Sequence, residues 1–420
     1  MRDILVTFII FIGCVYTLKR PYIGILLFSW IGYMNPHRLG WGFARDFPFA
    51  YIVAIITIIS LVLFNKDTKS FPKTGLTFVW FLFLFWMTLT TIFAIYPDVA
   101  IEQLIKVYKI QLFIILSLLF LGSIEKLNQL IWVIVISLCY FGVKGGVFTV
   151  LHGGSFIVWG PPGTFIEGNN ELALAILMVI PLMNYLRIIT DNKWIKRGLF
   201  VGMPLMGASA LGSQSRGAFL AGGAMLGLLW LKSNNKAVGG IVAVIFSGVL
   251  LLLMSDSWHT RMGTIDNYEE DNSAMGRINA WQAAINLAKD RFMGGGFDGI
   301  NSLSIFQTYA PNPLDYHDSH SIYFEVLGDH GFVGLTIFML IGLLAWKMCS
   351  GVIKDTKNIE SLSYLNTLAK MLQVSLVAYA AGGAFLGLAY FDLYYHLIVM
   401  ILLCRYLVDQ YKIQKNNIND

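Results

Sequence analysis

Long apolar segments separated by short polar connections run through most of the chain, and this pattern predicts a bundle of membrane-spanning helices. Most of the segments contain about 16–25 residues, enough for a helix to cross about 30 Å of hydrocarbon. They fall near residues 4–18, 21–34, 49–64, 76–95, 107–122, 129–150, 172–188, 198–213, 217–231, 237–254, 321–347, 371–389 and 393–408. The first two are short and closely spaced, so we expect about 12 spans, with 13 as the alternative.

A polar interval at residues 255–320 interrupts the apolar pattern. A connection of about 65 residues is far longer than the usual link between helices, and loops of this length are commonly functional. The interval divides the chain into a predicted N-terminal transmembrane bundle (1–254), a large loop (255–320) and a C-terminal membrane region with a tail (321–420).

Two short helices are predicted inside this loop. The first begins near Ser273, a suitable N-cap, and ends near Arg291, just before three glycines that favour helix termination. Its apolar residues recur at helical spacing: Ile278, Trp281, Ala284, Ile285 and Ala288. We expect this apolar stripe to pack on the membrane surface or on the bundle, and a second helix near residues 303–309.

The composition agrees with an all-α polytopic integral membrane protein. Hydrophobic residues make up 56% of the chain, charged residues make up 13%, and the mean hydropathy is +0.66. A soluble domain carries about 25% charged residues. The four cysteines lie in or beside apolar segments, which favours neither a disulfide framework nor a metal site. We interpret the first apolar segment as a retained span because it has no clear small-residue cleavage site.

Basic residues predict the orientation of the bundle, since Lys and Arg concentrate on the cytoplasmic side. They cluster at 187–197, 232–236, 347–357 and 412–415, and helix parity adds 65–73 to the same side. The extracytoplasmic side then receives 35–48, 96–106, 151–170, 213–216 and the long loop. The net charge of +5 therefore orients the chain, and we expect no nucleic-acid partner.

Two arginines on the extracytoplasmic side are candidate anion ligands. Arg216 begins an apolar segment between Ser215 and Gly217, small neighbours that let a phosphate approach both backbone and guanidinium. Arg277 lies near the start of the predicted loop helix, where the helix dipole also favours an anion. The alternatives are an interfacial arginine that reaches lipid headgroups for Arg216 and a solvated surface arginine for Arg277.

His320 is the candidate general base. A histidine side chain can accept a hydroxyl proton near neutral pH, and this one stands where the long loop meets the next apolar segment. The alternative is an interfacial capping histidine. His317 and His320 also form an HxxH pair, but no third metal ligand is evident, so we predict no metal.

Other residues are weaker candidates for substrate contact. Lys144 lies late in an apolar segment, and an intramembrane lysine is a functional candidate. Arg38, with His37 and Arg45, adds positive charge to the outer side. Glu325 and Asp329 follow His320 by about one and two helical turns and either orient it or line a wet cavity. The acidic run at 268–271 is read as a solvated loop, and the Gly- and Pro-rich loop at 153–170 as a re-entrant segment or the floor of a lipid groove.

With these residues in view, the chain resembles the bacterial O-antigen ligase family, including its polymerase relatives. Three short signatures carry the resemblance: His320 and Ser321 followed after nine residues by Gly331 and Gly334; Ser215, Arg216 and Gly217; and Gly276, Arg277, Ile278 and Trp281. The first signature selects His320 over His317. Residues 35–43 resemble a subgroup described as O-glycosylation ligases associated with exosortase systems.

The resemblance implies a GT-C-like glycosyltransferase of the bacterial inner membrane with an active site that faces the periplasm. Family members take a glycan from undecaprenyl diphosphate and pass it to a hydroxyl, in the ligases that of lipid A-core, without a nucleotide, metal or other cofactor. We therefore expect His320 to act as the base, Arg216 and Arg277 to hold the diphosphate, and substrate contacts from a further set: Ser215, Ser321, Lys144, Arg38 and Glu325. The alternatives are a polysaccharide polymerase, a protein O-oligosaccharyltransferase and, outside the enzymes, a transporter of lipid-linked sugars.

Overall fold

The computed structural model describes residues 1–64, 72–233, 235–252, 254–263 and 272–419, and all regular structure in these ranges is helical. The acidic run at 268–271 lies outside the described residues. The helices are α1 (Arg2–Lys19), α2 (Pro21–Met34), α3 (Phe49–Phe64), α4 (Gly75–Ile92), α5 (Pro97–Phe120), α6 (Ile124–Leu151), α7 (Asn169–Ile189), α8 (Lys193–Gly212), α9 (Arg216–Lys232), α10 (Lys236–Leu252), α11 (Asp256–Gly263), α12 (Asn272–Asp290), α13 (Leu303–Tyr309), α14 (Ile322–Thr356), α15 (Ser363–Gly383) and α16 (Asp392–Asn419).

Every predicted apolar segment coincides with a helix of this set. Among the described residues, five helices are long and apolar enough to cross a membrane, namely α4, α5, α6, α7 and α14. The chain is therefore a helical membrane protein, and the number of about 12 spans stays a prediction. One boundary was wrong: residues 97–106, expected to form a connection, are the first turns of α5. Pro97 and Asp98 favour a helix start there, because proline suits the first helical position and an acidic side chain complements the helix dipole.

Two helices form the centre of the bundle. Residues 172–183 of α7 are all buried, and α7 packs against α6, α8, α9 and α15. Residues 393–404 of α16 are likewise buried, and α16 contacts α5, α14 and α15. A helix that is apolar on every side is stable only when other helices surround it, which explains the position of both.

A break divides α14 into two helical segments. Gly331 has φ 66° and ψ −173°, a conformation that is essentially confined to glycine, so Ile322–His330 forms a short segment of its own. The chain around residues 294–296 docks against the end of that segment: the amides of Gly295 and Gly296 donate to the carbonyls of Gly328 (2.8 Å) and Asp329 (2.9 Å). These bonds satisfy carbonyl groups that the broken helix would otherwise leave unpaired.

The loop helix α12 packs on α14, and α13 packs on α12. The buried face of α12 is formed by Ala280, Ala283, Ala284 and Leu287, and α12 contacts α14 and α13. The predicted stripe was partly wrong, because only Ala284 and Ala288 of its members are fully buried, while the three larger side chains lie at the edge. Small alanine side chains let the two helices approach closely. The structure confirms α13, but α12 begins at Asn272, so Ser273 lies inside the helix.

Most of the irregular chain meets at one end of the bundle. The Gln214 side-chain amide donates to the carbonyl of Gly154 (2.8 Å), and the amide of Ile95 donates to the carbonyl of Gly295 (2.9 Å). We call this end the loop face; it comprises residues 35–48, 93–96, 152–168, 213–215, 254–263, 272–321 and 384–391. The connections that the sequence assigned to one side of the membrane therefore do lie together.

Candidate functional site

Arg216 begins α9 at the tight turn that follows α8. Gln214 adopts a positive φ of 54° in this turn, and the Ser215 hydroxyl accepts a hydrogen bond from the amide of Ala218 (3.1 Å). Ser215 is thus the N-cap of α9, and Arg216 is its first helical residue. A Cβ at Gly217 would lie 2.8 Å from the Cβ of Phe385, so glycine allows the turn between α15 and α16 to approach.

Arg277 lies on α12, one turn before Trp281. Its Nε is buried and has no hydrogen-bond partner among the described residues. A buried guanidinium nitrogen without a protein partner is costly, and such groups are candidates for contact with a ligand. Burial, and then the charge of Arg216, lower the pKa of Arg277, whereas Glu171 and Asp318 act in the opposite direction.

Three contacts fasten α12 to the extended chain that precedes His320. The Asn279 amide donates to the carbonyl of Asn312 (2.8 Å), and the indole N–H of Trp281 donates to the carbonyl of Ser319 (2.7 Å). At Gly276, a Cβ would overlap the ring of His317. The helix that carries Arg277 and the segment that carries His320 therefore form one unit.

A chain of aromatic contacts connects this unit to the start of α9. The Trp281 indole stacks on Phe324 with ring centroids 4.9 Å apart, and it lies 6.5 Å from Phe385, the residue that packs on Gly217. These contacts explain why two arginines far apart in the sequence influence each other electrostatically.

His320 is held by an aspartate two residues earlier. Its Nδ1 lies 3.2 Å from the Asp318 carboxylate, and its backbone amide donates to the same side chain at 3.3 Å. His320 has φ 40°, an uncommon value for a residue with a side chain, and its side chain is 42% exposed, so a substrate can reach it. Burial alone would raise the pKa of Asp318, but the hydrogen bond and charge of His320 bring it below its usual value.

His317 forms a similar pair with a different aspartate. Its Nε2 lies 3.0 Å from the carboxylate of Asp315, so the two histidines of the HxxH pair have separate partners. In the described part of the chain, no group of three or more His, Cys, Asp or Glu side chains is arranged to hold a metal ion.

The remaining predicted residues lie in different surroundings. Ser321 is fully buried beside His320, and its hydroxyl has no partner among the described residues. Lys144 is exposed on α6, whereas Gly145 and Gly146 beside it are buried. Arg38 packs against Gly163, where residues 35–48 and 152–168 of the loop face meet. Ser215 is used as the helix cap described above.

Neither Glu325 nor Asp329, the two carboxylates predicted to orient His320, forms a hydrogen bond with it. Glu325 accepts from the amide of Ala389 (3.0 Å), and Asp329 accepts from the hydroxyl of Tyr390 (2.9 Å). The carboxylate beside His320 is Asp318, a residue that we did not single out from the sequence. Glu171, in the first turn of α7, was also missed. An acidic residue at the start of a helix is usually explained by its interaction with the helix dipole, so its electrostatic effect on Arg277 could not be predicted from its position.

The arrangement combines two neighbouring guanidinium groups with a carboxylate-paired imidazole on the loop face of a membrane protein. Paired guanidinium groups suit an anion with several oxygens, such as a phosphate or diphosphate. A half-exposed imidazole beside them can accept a proton from an incoming hydroxyl. Chemically, the site is equipped for transfer of a group from an anionic leaving group to a hydroxyl.

Two family models match the chain. Residues 201–339 match the family described as O-Antigen ligase, and this range contains Arg216, Arg277 and His320. Residues 1–190 match a family of unknown function (DUF5935). No curated protein matches the chain.

Proposed function

Because the chain belongs to the O-antigen ligase family, we propose that it transfers a glycan from undecaprenyl diphosphate to a hydroxyl of lipid A-core. The reaction takes place at the periplasmic face of the bacterial inner membrane, and the loop face is the periplasmic one. The observation that carries the proposal is the proximity of Arg216 to Arg277, whose buried Nε has no described partner, beside the Asp318–His320 pair.

The two arginines hold the diphosphate of the donor. As the bond between the anomeric carbon and the diphosphate oxygen breaks, its electrons pass to the leaving diphosphate, and negative charge grows there. Guanidinium groups fixed in advance stabilise that charge, and loss of one such donor typically costs about 10²–10³-fold in rate. The mutual repulsion of Arg216 and Arg277 in the unliganded protein is relieved when the anion binds between them.

His320 acts as the base for the acceptor. Because its Nδ1 faces Asp318, Nε2 is the nitrogen that takes the proton from the acceptor hydroxyl. The deprotonated oxygen attacks the anomeric carbon on the face opposite the diphosphate, so a single displacement inverts that carbon. The imidazolium that forms is stabilised by the Asp318 carboxylate, as in other carboxylate-paired histidines, and it then releases its proton to solvent.

The loop helices cover the site. Because α12 is fastened both to the segment before His320 and to α14, it positions Arg277 and also forms one wall of the site. A covered site limits hydrolysis of the donor and strengthens the charge interactions inside it. No metal or other cofactor is needed for this chemistry.

The proposal is tested by transfer from a purified lipid-linked donor to lipid A-core, with the full chain in lipid nanodiscs. We expect His320→Ala to abolish transfer while donor binding persists. His317→Ala is the matched control and retains transfer. Equal losses in the two variants, or normal transfer by His320→Ala, would refute the role of His320.

The arginine roles are tested by donor binding. Arg277→Lys keeps the positive charge but removes Nε, and we expect affinity for undecaprenyl diphosphate to fall about tenfold, the equivalent of one charge-assisted hydrogen bond. Arg277→Ala and Arg216→Ala should lose more. Unchanged affinity in Arg277→Lys would show that Nε does not contact the diphosphate.

The acceptor is identified by supplying three candidates in parallel, namely lipid A-core, a second lipid-linked glycan, and an exported protein with Ser and Thr residues. Transfer to the second or third would make the chain a polymerase or a protein O-oligosaccharyltransferase with the same donor chemistry. A chelator arm tests the metal-free mechanism, since full activity with chelator is expected.

A further inference from the structure

A cavity with a mainly apolar lining and one polar wall opens on the loop face, outside the site described above. It has a volume of about 400 Å³ and lies between α2, α5, α16 and the turn at residues 163–165. Its walls include Phe28, Phe113, Lys106, Asp392 and His396. Every residue that lines it lies outside the range matched by the O-Antigen ligase model, 201–339.

A buried hydrogen bond orients the polar wall of this cavity. The Tyr33 hydroxyl lies 2.7 Å from Nδ1 of His396, and Asp392, one helical turn before His396 on α16, lines the same wall. The bond at Nδ1 fixes the ring of His396 and leaves its other nitrogen, Nε2, available to a ligand.

Two polar atoms of this wall have no hydrogen-bond partner among the described residues, namely Nε2 of His396 and Oδ1 of Asp392, and both are buried. The His396 side chain is 4% exposed. Buried polar atoms are nearly always paired, so this wall favours a ligand that can hydrogen-bond to both atoms.

The charges and shape of the cavity narrow the ligand class. Asp392 disfavours an anion, and Lys106, whose ammonium lies 4.3 Å above the ring of Phe165, disfavours a cation. Phe28 and Phe113 stack with centroids 3.7 Å apart and give an apolar wall. A neutral ligand with several hydroxyl groups and apolar C–H faces satisfies all of these conditions, and the volume lies in the range of small-molecule sites.

We propose that this cavity binds a neutral, hydroxyl-rich group, such as a sugar ring or the glycerol of a lipid headgroup, with its hydroxyls hydrogen-bonded to Asp392 and His396. The site goes beyond the proposed transfer reaction and uses none of its residues. It assigns a binding function to the N-terminal 190 residues, whose matched family has no known function, together with α16.

The test is saturation-transfer difference NMR with the full chain in phosphatidylcholine nanodiscs and methyl β-D-glucoside or glycerol as the probe. We expect transfer to the probe protons in the wild type, at least fivefold weaker in Asp392→Asn and in His396→Phe. Asp98→Asn, the same isosteric change at an exposed residue of α5 that does not line the cavity, is the matched control and keeps the wild-type signal. No signal in the wild type, or equal signals in all variants, would overturn the proposal.

Folding is checked for each variant by size-exclusion chromatography and thermal unfolding. Asp392→Asn is isosteric and decides the result if His396→Phe does not fold. The probe experiment does not involve the donor lipid, so its failure leaves the transfer assay unaffected, and failure of the transfer assay leaves this site unaffected.

Changing the nanodisc lipid distinguishes the two possible sources of the hydroxyl groups, a lipid headgroup and a sugar-bearing molecule. If phosphatidylglycerol nanodiscs suppress the probe signal, the headgroup glycerol is the natural occupant. If the signal persists, the occupant is a sugar-bearing molecule. Both results support the hydroxyl site.

Discussion

The carboxylate of Asp318 holds His320 at two points: one oxygen lies 3.2 Å from the ring Nδ1, and the other accepts from the backbone amide at 3.3 Å. A single side chain thereby fixes both the backbone conformation of His320 and the nitrogen that it leaves available. In the proposed reaction Asp318 is a positioning residue, because it would act through His320.

Removing this carboxylate should weaken transfer without abolishing it. For Asp318→Asn we expect a rate about 10- to 100-fold lower, since part of the gain from general-base catalysis is lost. We also expect the shape of the pH–rate profile to change, because the variant has no carboxylate beside the ring. Steady-state transfer rates between pH 5 and pH 8 would reveal both effects.

The matched control is Asp315→Asn, which breaks the equivalent pair at His317. Its profile should coincide with that of the wild type. If Asp318→Asn lowers the rate but leaves the shape of the profile unchanged, the aspartate has only a structural role.

The approach of α12 to the segment before His320 depends on Gly276. In Gly276→Ala the new methyl group would overlap the His317 ring, and we expect a loss of about 1–3 kcal/mol in stability together with reduced transfer. His317→Ala alone should have a small effect. The double variant should recover most of the loss, because the ring that causes the overlap is gone; additive effects in the thermal-unfolding cycle would contradict this account.

At Gly331, where α14 breaks, we expect no residue other than glycine to be tolerated. Gly331→Ala introduces a Cβ at φ 66° that would also overlap the carbonyl oxygen of Phe292, and we expect a loss of at least about 2 kcal/mol. Gly227→Ala is the control, because a Cβ at this position of α9 has nothing within 4 Å; it should be neutral or slightly stabilising. Unfolding measured in the same detergent compares the two, and similar stabilities would argue against a required break.

The stability of the segment between α2 and α3 should depend on pH through His37. Burial, followed by the charge of Arg38, lowers the pKa of His37, with Asp46 opposing. The unfolded chain then binds a proton more readily than the folded one, so the stabilising contribution is complete above pH about 6.5 and is lost as pH falls through the lower folded value.

The corresponding experiment follows the thermal midpoint of the wild type and of His37→Phe from pH 7.5 to pH 5. Both respond to other titrating groups, but the wild type should lose more stability on acidification. Parallel curves for the two proteins would show that His37 does not contribute.

Sequence alone predicted most of the helices, and it singled out three residues that the structure places in the candidate site. Apolar runs located the helices of the bundle because burial and bilayer contact both require apolar side chains. The start of α5 at Pro97 was missed, since its first turns are polar enough to resemble a connection. In α12, the larger side chains Ile278 and Ile285 were assigned to the packed face that alanines occupy, because hydrophobicity says nothing about how closely two helices approach.

The partners of the site residues were harder to predict. Arg216, Arg277 and His320 were singled out, but the role of Asp318 depends on a turn with positive φ, and Glu171 comes near Arg277 only through the folded arrangement of α7 and α12. Such contacts between distant parts of the chain are set by tertiary packing, and a single sequence does not encode them as a pattern.

The break at Gly331 fixes the length of the helical interval that begins after Ser321. Ser321 and Gly331 are separated by nine helical residues, and each α-helical residue adds about 1.5 Å and 100° of rotation. The docked glycines 294–296 clamp one end of this interval, and His320 stands at the other. Insertion or deletion of one residue would turn the imidazole by about 100° relative to the docked glycines, so the number of residues in this interval matters more than their identity.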